Sequence, residues 1–190
     1  MPVINSIIEW LEQTLTPHRY DHSFGVAEES RKIAELFHSD SEKAYLTGLI
    51  HDSARTQPAE VLRSCLPSFF LPVGSLIPEI FHAFAGPYFI MEKFGITDYS
   101  VLHAVCWHAT ACADMTDFDK ILFIADMTEP GRTFPDAKVL RESLLLGLSR
   151  TYVKALECKL RYLFRSQKII YPSSLDAWNK EVTRMSEGCY

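Results

Sequence analysis

"SDSEKAYLTGLIHDSAR", residues 39–55, decides how the rest of the chain is read. It opens on cap-type residues with an acid in the first turn, then continues at helical spacing. The helix ends on His51 and Asp52, directly after Leu49 and Ile50, two residues that belong in a core. His51 follows Ala44 by seven positions and Gly48 by three, so all three share one face. Those small residues let another helix, or a ligand, come close. Adjacent side chains on a helix diverge by about 100°, so the pair can grip one object from two directions where the helix stops.

Outward from that stretch the periodicity stays helical. Residues 3–15 form a short amphipathic helix that stops before Pro17, and residues 22–37 form a second with Val26, Ile33 and Phe37 on one face. "PAEVLRSC" is a short helix opened by Pro58. Pro67, Pro72 and Gly74 make 66–77 a loop, and helices follow at about 78–93, 98–112 and 116–127. "EPGRTFPD" breaks the pattern. One long helix is expected from about 136 to 166, with Leu145, Leu148, Tyr152, Leu156, Leu160 and Leu163 as its stripe. A last helix near 173–186 leads into a tail expected to fray. No alternating run asks for a strand. The expected fold is an all-α, single-domain irregular helical bundle over residues 1–190.

Bulk properties exclude several classes. The net charge of −5 and the lack of a basic stripe argue against nucleic-acid binding. No apolar run approaches the roughly 18 residues of a membrane span. The start, "MPVINSIIEWLEQ", has no basic region of the signal-peptide kind. Cysteines 65, 106, 112, 158 and 189 are odd in number and lack CxxC spacing, which fits reduced thiols and a cytoplasmic location.

Further polar residues fall on apolar faces. His22 lies one turn before Val26. His108 follows Val101 and Val105, Asp126 lies one turn beyond Leu122 in "ILFIAD", and His82 shares a face with Ala85, Gly86 and Phe89. One histidine on such a face is ordinarily a hydrogen-bonded core residue. Two aspartates are harder to accommodate, because a buried unpaired carboxylate costs several kcal/mol. Neutral imidazoles and carboxylates converging on one point describe a metal site.

The stretches "HSFGVAEES", "GLIHDSAR", "FHAFAGPYF", "WHATA" and "KILFIADMTEPGRTFP" resemble, in this order, the HD-domain metal-dependent phosphohydrolases. More narrowly they look like the YqeK-type bacterial proteins, which cleave diadenosine tetraphosphate symmetrically to two ADP by metal-activated water. The resemblance implies a metal-binding core over about 17–130 with C-terminal helices over about 136–186. His22, His51, Asp52 and Asp126 match the core ligands, and His82 and His108 the histidines of a second metal, with Asp52 as bridge. Two divalent or mixed-valent transition-metal ions are implied, iron first, with manganese or zinc as alternatives. Asp52 and Arg55 are the expected catalytic residues, and Arg19, Lys120 and Arg132 the expected phosphate binders. A competing expectation pairs Lys120 with Asp117 or Asp119 at the surface. Arg55 stands where the family has lysine, Ala83 and Ala111 where it has glycine, and Ala109 where it has threonine.

The expected partner is a dinucleoside polyphosphate or another nucleotide, with no nucleic acid and no membrane. The C-terminal helices are expected to pack on their own core or on a second copy in a homodimer. His103, about 140° around its helix from His108, should face solvent or another packing surface. The aromatics Phe69, Phe70, Phe81, Phe84, Tyr88 and Phe89 read mainly as core, with Trp107 a candidate base platform. Two other functions stay open: an HD-type hydrolase of nucleoside monophosphates or a guanosine alarmone, and a non-catalytic nucleotide-binding module.

Overall fold

The computed structural model describes residues 2–188; Met1, Cys189 and Tyr190 lie outside them, and so does the end of the expected tail. The described residues form helices and turns, with no strand. The α-helices are α1 (Pro2–Thr14), α2 (Pro17–Leu36), α3 (Ser41–Ile50), α4 (Ala59–Ser64), α5 (Phe81–Phe94), α6 (Tyr99–Trp107), α7 (Asp117–Thr128), α8 (Pro135–Ser143), α9 (Leu148–Arg165) and α10 (Pro172–Ser186). Short 3-10 turns occupy Pro72–Leu76, Pro78–Ile80 and Leu144–Leu146.

Local chemistry sets the helix starts. The Asp40 carboxylate accepts from the Lys43 amide at 2.9 Å and caps α3. Asp98 does the same for α6 through the Ser100 and Val101 amides. Thr116 and Asp119 cap α7 reciprocally, each side chain satisfying the other's backbone donor. Helix α7 is the centre of the bundle. Ile121, Leu122, Phe123, Ile124 and Ala125 are all buried, as expected of a helix surrounded on every side. Gly48 of α3 lies against the α2 backbone so closely that a Cβ would meet the Ala27 Cα at 2.7 Å. That approach brings the end of α3, and His51 with it, beside His22 of α2.

Three expectations are corrected. Helix α2 starts at Pro17 rather than at 22, because proline suits a helix's first turn; Arg19 is therefore helical. Helix α6 stops at Trp107, and the next turns carry Ala111 at φ +63. The expected long helix from 136 to 166 is two helices, broken at Gly147, whose φ of +100 is open only to glycine-like backbones. Leu148, Tyr152, Leu156 and Leu160 keep their buried stripe on α9, whereas Leu145 is 89% exposed and leaves it.

Ala111 stands where the resemblance expects glycine, and its left-handed backbone explains that expectation. Ser173 and Ser174, at the start of α10, donate to the Ala111 and Thr110 carbonyls at 2.7 and 2.6 Å and hold the turn. The Cβ costs about 1–2 kcal/mol in this conformation, partly offset by glycine's greater chain entropy. Ala111→Gly should therefore raise the unfolding free energy by roughly 0.5–1 kcal/mol. Urea denaturation reads this directly; an unchanged or lower midpoint contradicts it.

Candidate metal centre

Five helices deliver the polar side chains to one place. His22 comes from the second turn of α2 and Asp126 from the last turn of α7. His82 opens α5, while His51 and His108 are the residues that close α3 and α6. Asp52 follows His51 and is only 3% exposed. Its Oδ1 lies 3.1 Å from His82 Nε2 and 3.6 Å from His108 Nε2, and its Oδ2 lies 3.9 Å from His51 Nε2. His22 Nε2 is 3.1 Å from Asp126 Oδ1. Two clusters result, His22–His51–Asp52 and Asp52–His82–His108, with donor atoms within 4.8 Å of one another and Asp52 common to both.

The other ring nitrogens show which protons are present. His51 Nδ1 donates to the Gly48 carbonyl and His108 Nδ1 to the Val105 carbonyl, each at 2.6 Å. His22 Nδ1 meets the Glu129 carboxylate at 3.1 Å. Carbonyls and carboxylates only accept, so in each neutral ring the proton sits on Nδ1 and Nε2 is a bare lone pair. Those lone pairs point at carboxylate oxygens, acceptor facing acceptor, and the buried His51 Nε2 has no hydrogen-bond partner. Protonation or a cation relieves such an arrangement. The donor set of imidazole nitrogens and carboxylate oxygens fits a transition metal, and the Glu129–His22 bond is the outer support such ligands usually have.

Electrostatics follow the same geometry. Burial lowers His51 and His82 to about 4, against the opposing pull of Asp52. Burial also works on His22, but the bond and charge of Asp126, with Glu129 behind it, leave its pKa raised. Burial pushes the Asp52 carboxyl up; His51, His108 and His82 outweigh it and hold the group well below its usual range. Asp126 is likewise held low against burial, by His22, His51 and Arg132.

A cleft of about 580 Å³ opens over Asp52, His82, His108 and Asp126. Arginines line it. Arg19 donates to Asp52 Oδ2 at 3.0 Å. Arg55 Nη1 lies 2.8 Å from His82 Nε2 and 3.9 Å from Asp52 Oδ1. Arg132 donates to Asp126 Oδ1 at 2.6 Å and to the Asp126 carbonyl at 2.8 Å.

The chain matches the HD domain family over residues 19–131. It belongs to the HD-domain family. Among relatives of this HD-domain protein, the symmetrical bis(5'-nucleosyl)-tetraphosphatase of Halalkalibacterium halodurans is 31% identical, over 91% of this chain and 94% of the relative. A protein of the same name from Bacillus subtilis is 29% identical, over 89% and 92%. A crystal structure from Clostridium acetobutylicum, described as a predicted HD superfamily hydrolase involved in NAD metabolism, superposes with a TM-score of 0.91. It is 27% identical over 95% of this chain and 97% of that one.

Lys120 departs from expectation. Its side chain is 2% exposed and turned away from the cleft. Its Nζ lies 3.4 Å from Glu181 and 3.6 Å from Asp117, above the Tyr152 ring. Helix α10 folds across α9 and brings Glu181 there, so Lys120 is an internal tie rather than a phosphate ligand or a surface ion. His103 faces a packing surface, 3.0 Å from Asp119, which with Cys112 raises it to about 10. Trp107 stacks on Phe69 and lines a separate apolar hollow, whereas Phe70, Phe81 and Phe84 pack with Tyr171. Sequence reasoning missed Glu129, Lys159 and Tyr162. An acid one turn beyond Asp126 was a signal for the first. A lysine three residues after Leu156 and four before Leu163, on an apolar stripe, was the signal for the second.

No helix is long and apolar enough to cross a membrane among the described residues.

The metal-free protein should lose stability in mild acid. Unfolded histidines titrate near 6.5, folded His51 and His82 near 4, so their contribution is complete above about 6.5 and is lost as pH falls toward 4. His22 and His103, both raised, act in the opposite sense, their contributions being complete below about 6.5 and lost as pH rises through their folded values. Asp52 and Asp126 hold their contribution until the pH falls below this window. Denaturation without metal should give a loss on the order of 2 kcal/mol between pH 7 and pH 4.5. A flat profile contradicts the buried neutral imidazoles.

Proposed function

We propose that this HD-domain protein hydrolyses diadenosine tetraphosphate symmetrically, releasing two ADP. The observation that carries the reading is the pair of His/Asp clusters sharing Asp52 at the floor of an arginine-lined cleft. The two tetraphosphatases at 31% and 29% identity, matched over nearly their whole length, support the choice of substrate.

His22, His51, Asp52 and Asp126 would hold one cation, and Asp52, His82 and His108 the other. Bound there, two transition-metal ions supply Lewis acidity and lower the pKa of a water enough to make hydroxide available near neutrality. The protein's own groups do the rest. Glu129 and the Gly48 and Val105 carbonyls keep three imidazoles oriented with Nε2 inward. Arg55, on the cleft side of His82, meets the equatorial oxygens of the attacked phosphorus, where charge builds in the transition state. Arg19 and Arg132 flank it and grip neighbouring phosphates with planar donors that match two oxygens at once. Water oxygen adds to one of the two central phosphorus atoms, the bridging bond opposite breaks, and the departing ADP takes the electron pair.

Iron is our first assignment for the metal, with manganese or zinc as substitutes, because an imidazole-rich set suits these better than magnesium. The free thiols of Cys65, Cys106, Cys112 and Cys158 suit the reducing cytoplasm. A homodimer is part of this reading, supported by the exposed apolar side chains of Leu145 and Leu146.

Protein loaded with iron or manganese should convert diadenosine tetraphosphate to ADP alone, read by anion-exchange chromatography. ATP with AMP, or release of nucleoside and phosphate from monophosphates at a higher rate, contradicts the reading. Asp52→Ala should lower metal content and turnover together, the latter by more than about a hundredfold. Full occupancy with normal turnover removes Asp52 from the site.

A further inference from the structure

One wall of the cleft comes from α9, outside the segment that matches the HD family. It carries Lys159, half-buried, whose Nζ sits 4.9 Å from the centre of the Phe123 ring. The three cleft arginines each lie against a carboxylate of the centre: Arg19 and Arg55 against Asp52, Arg132 against Asp126. Lys159 has no ion pair with a carboxylate among the described residues. A half-buried ammonium keeps its charge only where some anion compensates for lost water, and an aromatic face replaces part of that hydration. Its position fits the compensating anion being the substrate. Tyr162 and Leu163, one turn further along α9, continue the same wall to the mouth, where Lys168 lies above the Tyr162 ring.

We propose that Lys159 is a specificity residue that binds the phosphates of the departing nucleotide, and so favours a long polyphosphate chain over a monophosphate. The inference rests on the phosphohydrolase reading, since it needs a substrate anchored at the metals and running along the cleft. The arginines serve the attacked end. Lys159, brought to the same cleft by α9, would meet the part of the chain that leaves. Arginine would demand two coplanar acceptors; a single ammonium on a flexible stem can follow phosphates of a leaving group as it moves.

The test uses Lys159→Met, which keeps the stem against Phe123 and removes the charge, on metal-loaded protein. Lys159→Gln is the second variant if methionine lowers the unfolding midpoint. Calorimetric binding of inorganic tripolyphosphate should weaken about tenfold or more. The ratio of kcat/KM for diadenosine tetraphosphate to that for bis(p-nitrophenyl) phosphate, which occupies only the metal end, should fall by a similar factor. Lys159→Arg should recover part of both. Tripolyphosphate binding within twofold of the parent, or equal losses on both esters, overturns the inference. If the parent protein binds tripolyphosphate through Lys159 yet does not cleave the dinucleotide, the inference stands and the tetraphosphatase reading fails.

Discussion

The structure depends on lone pairs that face lone pairs. Asp52 is buried beside His51 and His108, whose ring protons are committed to backbone carbonyls, and His22, with its Nδ1 on Glu129, meets Asp126 in the same way. Acceptors pressed together at 3.1–3.9 Å inside a bundle are unfavourable alone and favourable around cations. The fold keeps them there by one device used twice: His51 and His108 each close a helix, and each donates Nδ1–H to the carbonyl three residues back. A helix end supplies free carbonyls for this purpose. The centre is thus built from helix termini, and any packing that moves those termini moves the donors.

Packing explains why the termini meet. Gly48 admits the α2 backbone at a distance that no Cβ could share, which sets His51 beside His22. Helix α7, buried all round from Ile121 to Ala125, packs against α2, α3, α6, α8 and α9, and its last turn delivers Asp126. Arg141 of α8 then ties the turn after α7 by donating to the Thr128, Glu129 and Arg132 carbonyls at 2.7–2.9 Å. That turn presents Arg132 to the cleft and Glu129 to His22. The segment matching the family supplies the candidate metal donors together with Arg19 and Arg55, with Arg132 one residue beyond it, while α9 supplies a wall of the cleft. On the proposed reading, chemistry at the attacked phosphorus and recognition of the remainder of the substrate would fall to different parts of the chain.

Much of this was legible in residue spacing. Histidines and aspartates on apolar faces announced the polar core, because helical periodicity alone places i, i+3, i+4 and i+7 together. The all-helical fold followed from the same periodicity. Other features depend on information that spacing does not hold. The 136–166 pattern reads as one helix because its apolar stripe continues through Gly147; only the positive φ there reveals the break. Lys120 has the surroundings of a surface cation in sequence, and becomes buried because α10, sixty residues later, lays Glu181 over it. Lys159 interrupts a leucine stripe in the sequence, and only the placement of α9 along the cleft gives it a role. Long-range placement, not local preference, decided these three.

Anomalous diffraction at the metal edge, from crystals of the loaded protein, tests the central claim most directly. Two peaks about 3.5–4 Å apart, with Asp52 bridging them and the Nε2 atoms of His51, His82 and His108 within bonding distance, are the result this account requires. Crystals grown with the ions present but showing no peak among these side chains, or the rings turned so that Nε2 bonds only to protein, would contradict it.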